Sequence, residues 1–370
     1  MVKIIDASIQ KFYDDIQNRR LFLFGAGKRV TYICETYGIE SKIEAIVDNN
    51  DKLVGDFFSY GKAKIPIVDI GYLVKAAKNT DIDQIVLLIT PVHYCLSIIE
   101  QLDAIPAFEK LRCYVGRLLD DYYEKKDFLF SDGENIIPKK IHYCWFGKKE
   151  IPEHLRRCID TWKEKCSDYE IIKWDETNYD ITKNQYMKEA YECKKWGFVP
   201  DYARIDIVYN EGGIYLDTDV EIISSLDTLL KDEMFCGFNC YGLINFGLGF
   251  GAVPRNQFIK ELRDAYDGKS FYNADKSVNL TACSWYQHPV FKKHGFQLNN
   301  CYQNIEGIVI YPSEVFAPTG ASGTANNFSE KTVSIHHAEL SWVTEQEKKE
   351  YERTRKNLKE RISVQHFFSD

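Results

Sequence analysis

Three absences narrow what this chain can be. No apolar run reaches the ~20 residues that a helix needs to cross a bilayer, and the start lacks the charged and then apolar pattern of a secretory signal; the expectation is a cytoplasmic protein, with peripheral attachment to the inner face of the membrane still compatible. A cationic surplus is missing as well: 47 Lys and Arg face 55 Asp and Glu, and the formal net charge of −8 argues against a nucleic-acid partner. The eleven cysteines, an odd number, lack paired spacing. Cys236 and Cys240 are the nearest two, and no second pair completes a zinc site, so reduced and mostly buried thiols are expected.

What is present divides in two. A length of 370 residues is more than one core usually fills. Residues 1–125 alternate strand-like segments (21–24, 43–47, 85–89 and 111–115) with amphipathic stretches, the pattern of a wound parallel sheet. The first strand runs into Gly25-Ala26-Gly27, and the second ends at Asp48, both at the positions of a dinucleotide-binding fold. Val30 stands where the third glycine belongs. Gly25, Gly27 and Asp48 could therefore form a phosphate loop at a helix N-terminus, or the glycines could simply make the tight turn that such a sheet needs. A long loop is expected over residues 51–64. Residues 126–135, charged and turn-rich, read as a linker, and residues 136–370 as the second domain.

Residues 198–222 hold the densest chemistry. Pro200 suits a first helical turn and Gly212-Gly213 a helix end, which puts Asp201 and Arg204 on one helical face. Beyond the glycines the residues alternate as in a strand. Ile214, Leu216, Thr218, Val220 and Ile222 point one way, and Tyr215, Asp217, Asp219 and Glu221 the other. Three carboxylates on one strand face repel unless solvated or neutralised, and hard oxygen ligands suit Mg2+ or Mn2+. Asp-x-Asp alone is weak, because Asp81-Ile82-Asp83 has the same spacing in a polar turn. The second copy serves as an internal decoy.

The run Asp201-x-x-Arg204 followed by Gly212-Gly213-Ile214-Tyr215-Leu216-Asp217-Thr218-Asp219 resembles the core of the glycosyltransferases typified by the yeast initiating mannosyltransferase, bacterial capsular sugar transferases and the clostridial glucosylating toxins. The resemblance extends over about residues 136–342. It implies a GT-A glycosyltransferase domain after the N-terminal Rossmann-like parallel sheet domain, a nucleotide-sugar donor (a UDP-sugar is favoured), a divalent cation and retention of anomeric configuration. Phe24-Gly25-Ala26-Gly27 with Val47-Asp48-Asn49-Asn50 in turn resembles the Rossmann-like domains attached to sugar O-acyltransferases and polysaccharide-synthesis enzymes.

Further positions are implied by that likeness. Residues 136–147 match the family's first strand, where an aromatic residue lies against the donor base; Trp145 is the candidate, a core tryptophan being the alternative. Tyr215 is assigned to nucleotide-sugar binding. In the glycine-rich run 245–251, Asn245 could bond a sugar hydroxyl, while the absence of a following Lys-Ser or Lys-Thr excludes a P-loop. Residues 280–285 could line the acceptor side, and 308–318 resemble a late segment of the bacterial members. Strand 332–336 would present His336 on its polar side, free to join Asp217 and Asp219 at the metal, with His337 on the packed side. Ser341 and Trp342 could hold the diphosphate, and 345–361 read as a solvated charged helix. The function expected is transfer of a sugar to a glycan or lipid-linked saccharide in bacterial capsular or surface polysaccharide synthesis. A nicotinamide-dependent sugar-nucleotide oxidoreductase and a catalytically silent glycan-binding scaffold are the competing readings.

Overall fold

Ile85–Ile89 reads IVLLI and is buried at every position, as a strand covered by helices on both faces must be. It is an inner strand, third in order, of a seven-stranded sheet, and the computed structural model describes residues 1–122, 126–320, 327–339 and 345–367 around it and a second sheet. The first sheet comprises β1 (Lys3–Ile5), β2 (Arg20–Phe24), β3 (Ile43–Val47), β4 (Phe57–Tyr60), β5 (Ala63–Val68), β6 (Ile85–Ile89) and β7 (Arg112–Val115). Their order is β1-β7-β6-β2-β3-β5-β4, and every pairing is parallel except β4 with β5. The expected loop over 51–64 is therefore corrected: it contains most of a hairpin that turns at Gly61, whose φ is 55°. The alternation of exposed and half-buried residues in β4 is that of a sheet edge, which carries too few apolar residues to stand out in the sequence.

By its contacts the chain divides into a unit built on Met1–Tyr123 with Thr344–Asp370, and another built on Glu124–Thr319 with Asn326–Val343. The C-terminal helix Glu345–Phe367 thus departs from the solvated face expected for it. Its Leu358 and Ile362 enter the core of the first unit beside Val2, Ile4 and Ile99, and Arg361 pairs with Asp103 at 3.0 Å. Two apolar residues one turn apart in a highly charged helix are a stripe too narrow to read from periodicity. The stretch read as a linker also carries core residues: Phe128 stacks on Tyr302 with ring centroids 5.1 Å apart, inside the second unit.

That second unit has strands β8 (Lys140–Cys144), β9 (Glu170–Trp174), β10 (Gly213–Tyr215), β11 (Val220–Ile222), β12 (Met234–Gly237), β13 (Phe250–Ala252), β14 (Gln303–Ile305), β15 (Ile308–Tyr311) and β16 (Ser334–His336). Seven of them form a mixed sheet in the order β14-β15-β12-β13-β10-β8-β9, while β11 and β16 pair antiparallel as a separate ribbon. The helix Pro200–Glu211 packs beside β8, and every residue from Asp201 to Val208 is buried. Such a helix is held by its polar residues as well as by its apolar ones. Asp206 accepts from Tyr179 Oη at 2.9 Å and pairs with Lys183 at 3.0 Å and Arg263 at 3.4 Å.

Candidate functional site

Leu216 leaves the large sheet and Val220 enters the ribbon, so the expectation of one continuous strand is corrected to two short strands joined by a turn. The Val220 N–H closes that turn onto the Asp217 carbonyl at 3.1 Å. Asp217 and Asp219 consequently do not share a strand face; they sit at the first and third positions of the turn. The helix Glu153–Lys165 anchors β11 beyond the turn, with Trp162 Nε1 donating to the Val220 carbonyl at 2.7 Å and the Ile222 N–H donating to Thr161 Oγ1 at 2.9 Å.

Each carboxylate is held from several sides. Tyr215 Oη donates to Asp217 Oδ1 at 2.9 Å, and Arg204 Nη1 lies 3.5 Å from Asp217 Oδ2. Arg204 also forms an ion pair with Asp201, donates from Nε to the Pro200 carbonyl at 3.1 Å, and stands over the Tyr215 ring. Tyr186 Oη reaches the other oxygen of Asp201 at 3.4 Å. Gly247 comes so near that a Cβ there would be 2.3 Å from Asp217 Oδ2. Asp219 is wrapped by distant chain: its carbonyl accepts the His337 N–H at 3.0 Å, Oδ2 accepts the Glu339 N–H at 2.9 Å, and Oδ1 faces His336 Nε2 at 3.4 Å. A left-handed backbone at Ala338, φ 52°, turns the Glu339 amide back to the carboxylate.

These placements set the charges. Burial raises Asp201 to about 6 against the pull of Arg204, and burial likewise raises Asp217 although Arg204 opposes it. Burial would raise Asp219 as well, but the His336 imidazole and the Glu339 amide prevail and hold it well below the usual carboxylate range. His336, which burial alone would lower, is raised by Asp219. Ligand atoms of Asp217, Asp219 and His336 all lie within 4.8 Å of one another, the single such group of three found among the described residues. Two carboxylates and an imidazole in that spread fit one Mn2+ or Mg2+ ion, with Mn2+ better matched to the nitrogen.

The remaining candidates lie elsewhere or play local parts. Asn245 spends Oδ1 on the Gly247 N–H at 2.8 Å and so shapes the loop against Asp217. Trp145 is half-buried, with its indole N–H on the Lys149 carbonyl at 2.6 Å rather than on the acidic cluster. Ser341 and Trp342 lie outside the described residues. His337, expected on the packed side, is corrected: its side chain is 46% exposed and meets Glu221 at 2.9 Å, because the bend after β16 turns it outward. In the first unit a Cβ at Gly25 would lie 2.7 Å from Pro91, whereas one at Gly27 would meet nothing within 4 Å, and Asp48 Oδ2 already accepts the Ala26 N–H at 2.6 Å. Asp81 only caps its own turn, accepting from the Asp83 N–H at 3.1 Å. Sequence reasoning missed Tyr186 and Glu339. Neither has a local signal, since one acts through a hydroxyl 15 residues from Asp201 and the other through a backbone amide 120 residues from Asp219.

Residues 152–236 match the family model described as glycosyltransferase sugar-binding region containing DXD motif, a span that includes Asp201, Arg204, Asp217 and Asp219 but neither Asn245 nor His336. The chain is 34% identical over 124 residues to inositol phosphoceramide mannosyltransferase 3 of Schizosaccharomyces pombe, covering 30% of this chain and 32% of that protein. It is 28% identical over 196 residues to subversion of eukaryotic traffic protein A of Legionella pneumophila, covering 43% of this chain and 29% of the other. Among solved structures, the PaToxG glycosyltransferase aligns with a TM-score of 0.32 at 17% identity, over 42% of this chain and 70% of that one. The chain spans about a third of the length of the curated relatives it matches.

Proposed function

We propose that the second unit is a GT-A glycosyltransferase domain that moves a sugar, with retention, from a nucleotide-sugar donor to a hydroxyl of a glycan or lipid-linked saccharide. The observation that carries this reading is the Asp217–Asp219–His336 cluster set against the buried Asp201–Arg204 pair. Asp217, Asp219 and His336 would hold Mn2+ or Mg2+, which when bound stabilises charge on the departing nucleoside diphosphate, an effect worth several kcal/mol in such sites. Arg204, buried and permanently charged, orients Asp217 and keeps Asp201 in place. Asp201 then offers a carboxylate to hydroxyls of the donor sugar, and Arg204 a donor fork. Inversion would require a general base at the acceptor. In this reading Asp217 and Asp219 serve the cation and Asp201 the donor sugar, which leaves none of the three as that base and favours retention.

UDP-sugars remain the first choice of donor, and GDP-mannose belongs beside them because the Schizosaccharomyces pombe relative is named a mannosyltransferase. Assignment to bacterial capsular or surface polysaccharide synthesis, from the cytoplasmic side of the membrane, rests on the resemblance of residues 201–219 to a family that includes capsular sugar transferases and of residues 308–318 to a late segment of its bacterial members. No helix among the described residues is long and apolar enough to cross a membrane. The test is nucleoside diphosphate release from a panel of nucleotide sugars with and without Mn2+. Asp219→Asn should abolish most metal-dependent turnover in a protein that still folds, and Asp83→Asn should leave it intact. Turnover that survives both EDTA and Asp219→Asn would remove the cluster from the mechanism.

A further inference from the structure

The helix Ser284–Lys293 supplies no ligand to the acidic cluster, yet it carries unpaired polar atoms on the buried face that follows Cys283. Its buried face is Ser284, Gln287, His288 and Phe291. Just before it, Cys283 lies within electrostatic reach of Asp201, Arg204 and Asp217, and burial together with the carboxylates pushes its thiol up to about 12. Farther along, the Phe291 ring meets Phe246, the neighbour of Gly247, at 6.1 Å. Gln287 is four residues from each and so stands between them on one helical face.

Gln287 is fully buried, and neither Oε1 nor Nε2 has a hydrogen-bond partner. The Tyr266 hydroxyl is in the same condition, with its ring 5.3 Å from that of Tyr186, which bonds Asp201. Buried amides and phenols are almost always paired, and an exception asks for an explanation. An amide offers a donor and an acceptor side by side, the complement of two neighbouring hydroxyls, each of which can accept and donate. Pro289 lies inside this helix and lacks the N–H that would bond the Trp285 carbonyl. The first turn thereby has one backbone bond fewer to hold it to the rest of the helix.

We propose that Gln287 is a specificity-determining residue for the transferred sugar, its amide taking ring hydroxyls of a sugar seated against Asp201 and Arg204, with the Tyr266 hydroxyl as a second contact. The proposal rests on the nucleotide-sugar reading. The ring reaches the amide as the first helical turn yields. A polar group kept unpaired for substrate costs stability in the free protein, and removing it should return that stability while blurring recognition.

Gln287→Met keeps the side-chain length and deletes both polar ends. Wild type, Gln287→Met and Tyr266→Phe would be compared on UDP-glucose, UDP-galactose, UDP-N-acetylglucosamine and GDP-mannose with Mn2+, reading nucleoside diphosphate release and melting temperature. The expected result is an unchanged or higher melting temperature for Gln287→Met, with kcat/KM on the preferred donor lowered about 10- to 100-fold and the preference over the other donors narrowed. A lower melting temperature with the donor ranking intact would mean that the amide serves only a buried water, and would overturn the proposal. Should Gln287→Met fail to fold, Tyr266→Phe carries the same two readouts, and an unchanged donor ranking in it is equally fatal. A wild type inactive on every donor, even with Mn2+, would sink the nucleotide-sugar reading itself, whereas turnover with unaltered ranking in both variants sinks only the role of Gln287.

Discussion

Adding one methyl group at Gly247 should disable the cation site while leaving the fold standing. The Cβ of Gly247→Ala would lie 2.3 Å from Asp217 Oδ2 and 3.1 Å from Asn245 Oδ1. Contact distances between such atoms are about 3.5 Å, so the carboxylate must retreat by about 1 Å. It retreats from the Tyr215 hydroxyl at 2.9 Å, and a hydrogen bond to a charged group is worth about 1.5–3 kcal/mol. Displacing a group that orients or supplies a metal ligand typically costs 10- to 100-fold in affinity. Mn2+ affinity, measured by calorimetric titration, should fall by that factor, equivalent to about 1.4–2.8 kcal/mol. Global stability should fall by about 1–3 kcal/mol, the usual cost of overpacking. Gly27→Ala is the control, because a Cβ there meets nothing within 4 Å, and neither Mn2+ affinity nor folding should suffer. A folded Gly247→Ala protein with wild-type Mn2+ affinity would refute the placement of Asp217 at the cation.

Three further outcomes are expected from the same geometry. Burial holds His142 near 4 against an ordinary 6.5, with its Nε2 2.9 Å from the Gly212 carbonyl and its Nδ1 accepting from Trp174; the unfolded chain binds the extra proton between those pH values, so stability is complete above pH 6.5 and falls toward pH 4 by about 1.4 kcal/mol per unit. His93 acts with the same sign, so His142→Gln should give a shallower dependence of melting temperature on pH than wild type, and identical slopes would count against the assignment. Arg204→Met leaves the buried Asp201 and the half-buried Asp217 without their cation and should cost about 3–5 kcal/mol in urea unfolding at pH 7.5, less at pH 5, where Asp201 can take a proton; an equal loss at both would show that the Asp201 pair is not what the arginine stabilises. NAD(H) and NADP(H) should bind the first unit no tighter than high micromolar, because Asp48 already occupies the Ala26 amide that a phosphate would need, and submicromolar binding by calorimetry would restore the oxidoreductase reading.

The parallel core of the first unit was legible because burial on both faces writes itself as unbroken apolar runs: expected strands 43–47 and 85–89 coincide with β3 and β6. The strands at and next to its edges were not. β1 has three residues, and β4 and its neighbour β5 are half-exposed, so neither length nor hydrophobicity sets them apart from loop. Similar physics hid the C-terminal helix, in which Leu358 and Ile362 are the apolar anchors in a charged sequence. In the second unit the helix Pro200–Glu211 was legible from its proline and glycine signals, and the residues of the acidic cluster from their types and spacing. Their geometry was not.

That failure has a specific cause at Asp217-Thr218-Asp219. Alternation of apolar and polar residues from Ile214 to Ile222 is what a half-buried strand would show, and nothing within the segment contradicts it. The strand breaks because the partners that satisfy the break come from remote chain. Asp219 spends its carbonyl on the His337 N–H and its carboxylate on the Glu339 N–H and the His336 ring, while Asp217 accepts from Tyr215 and lies against Gly247. A backbone leaves a sheet only where its polar groups find other partners, and here those partners also gather the cation ligands. The turn and the cluster therefore have one origin. Any change that removes the remote partners should return residues 216–219 toward the strand their own sequence favours, and with it withdraw Asp219 from His336.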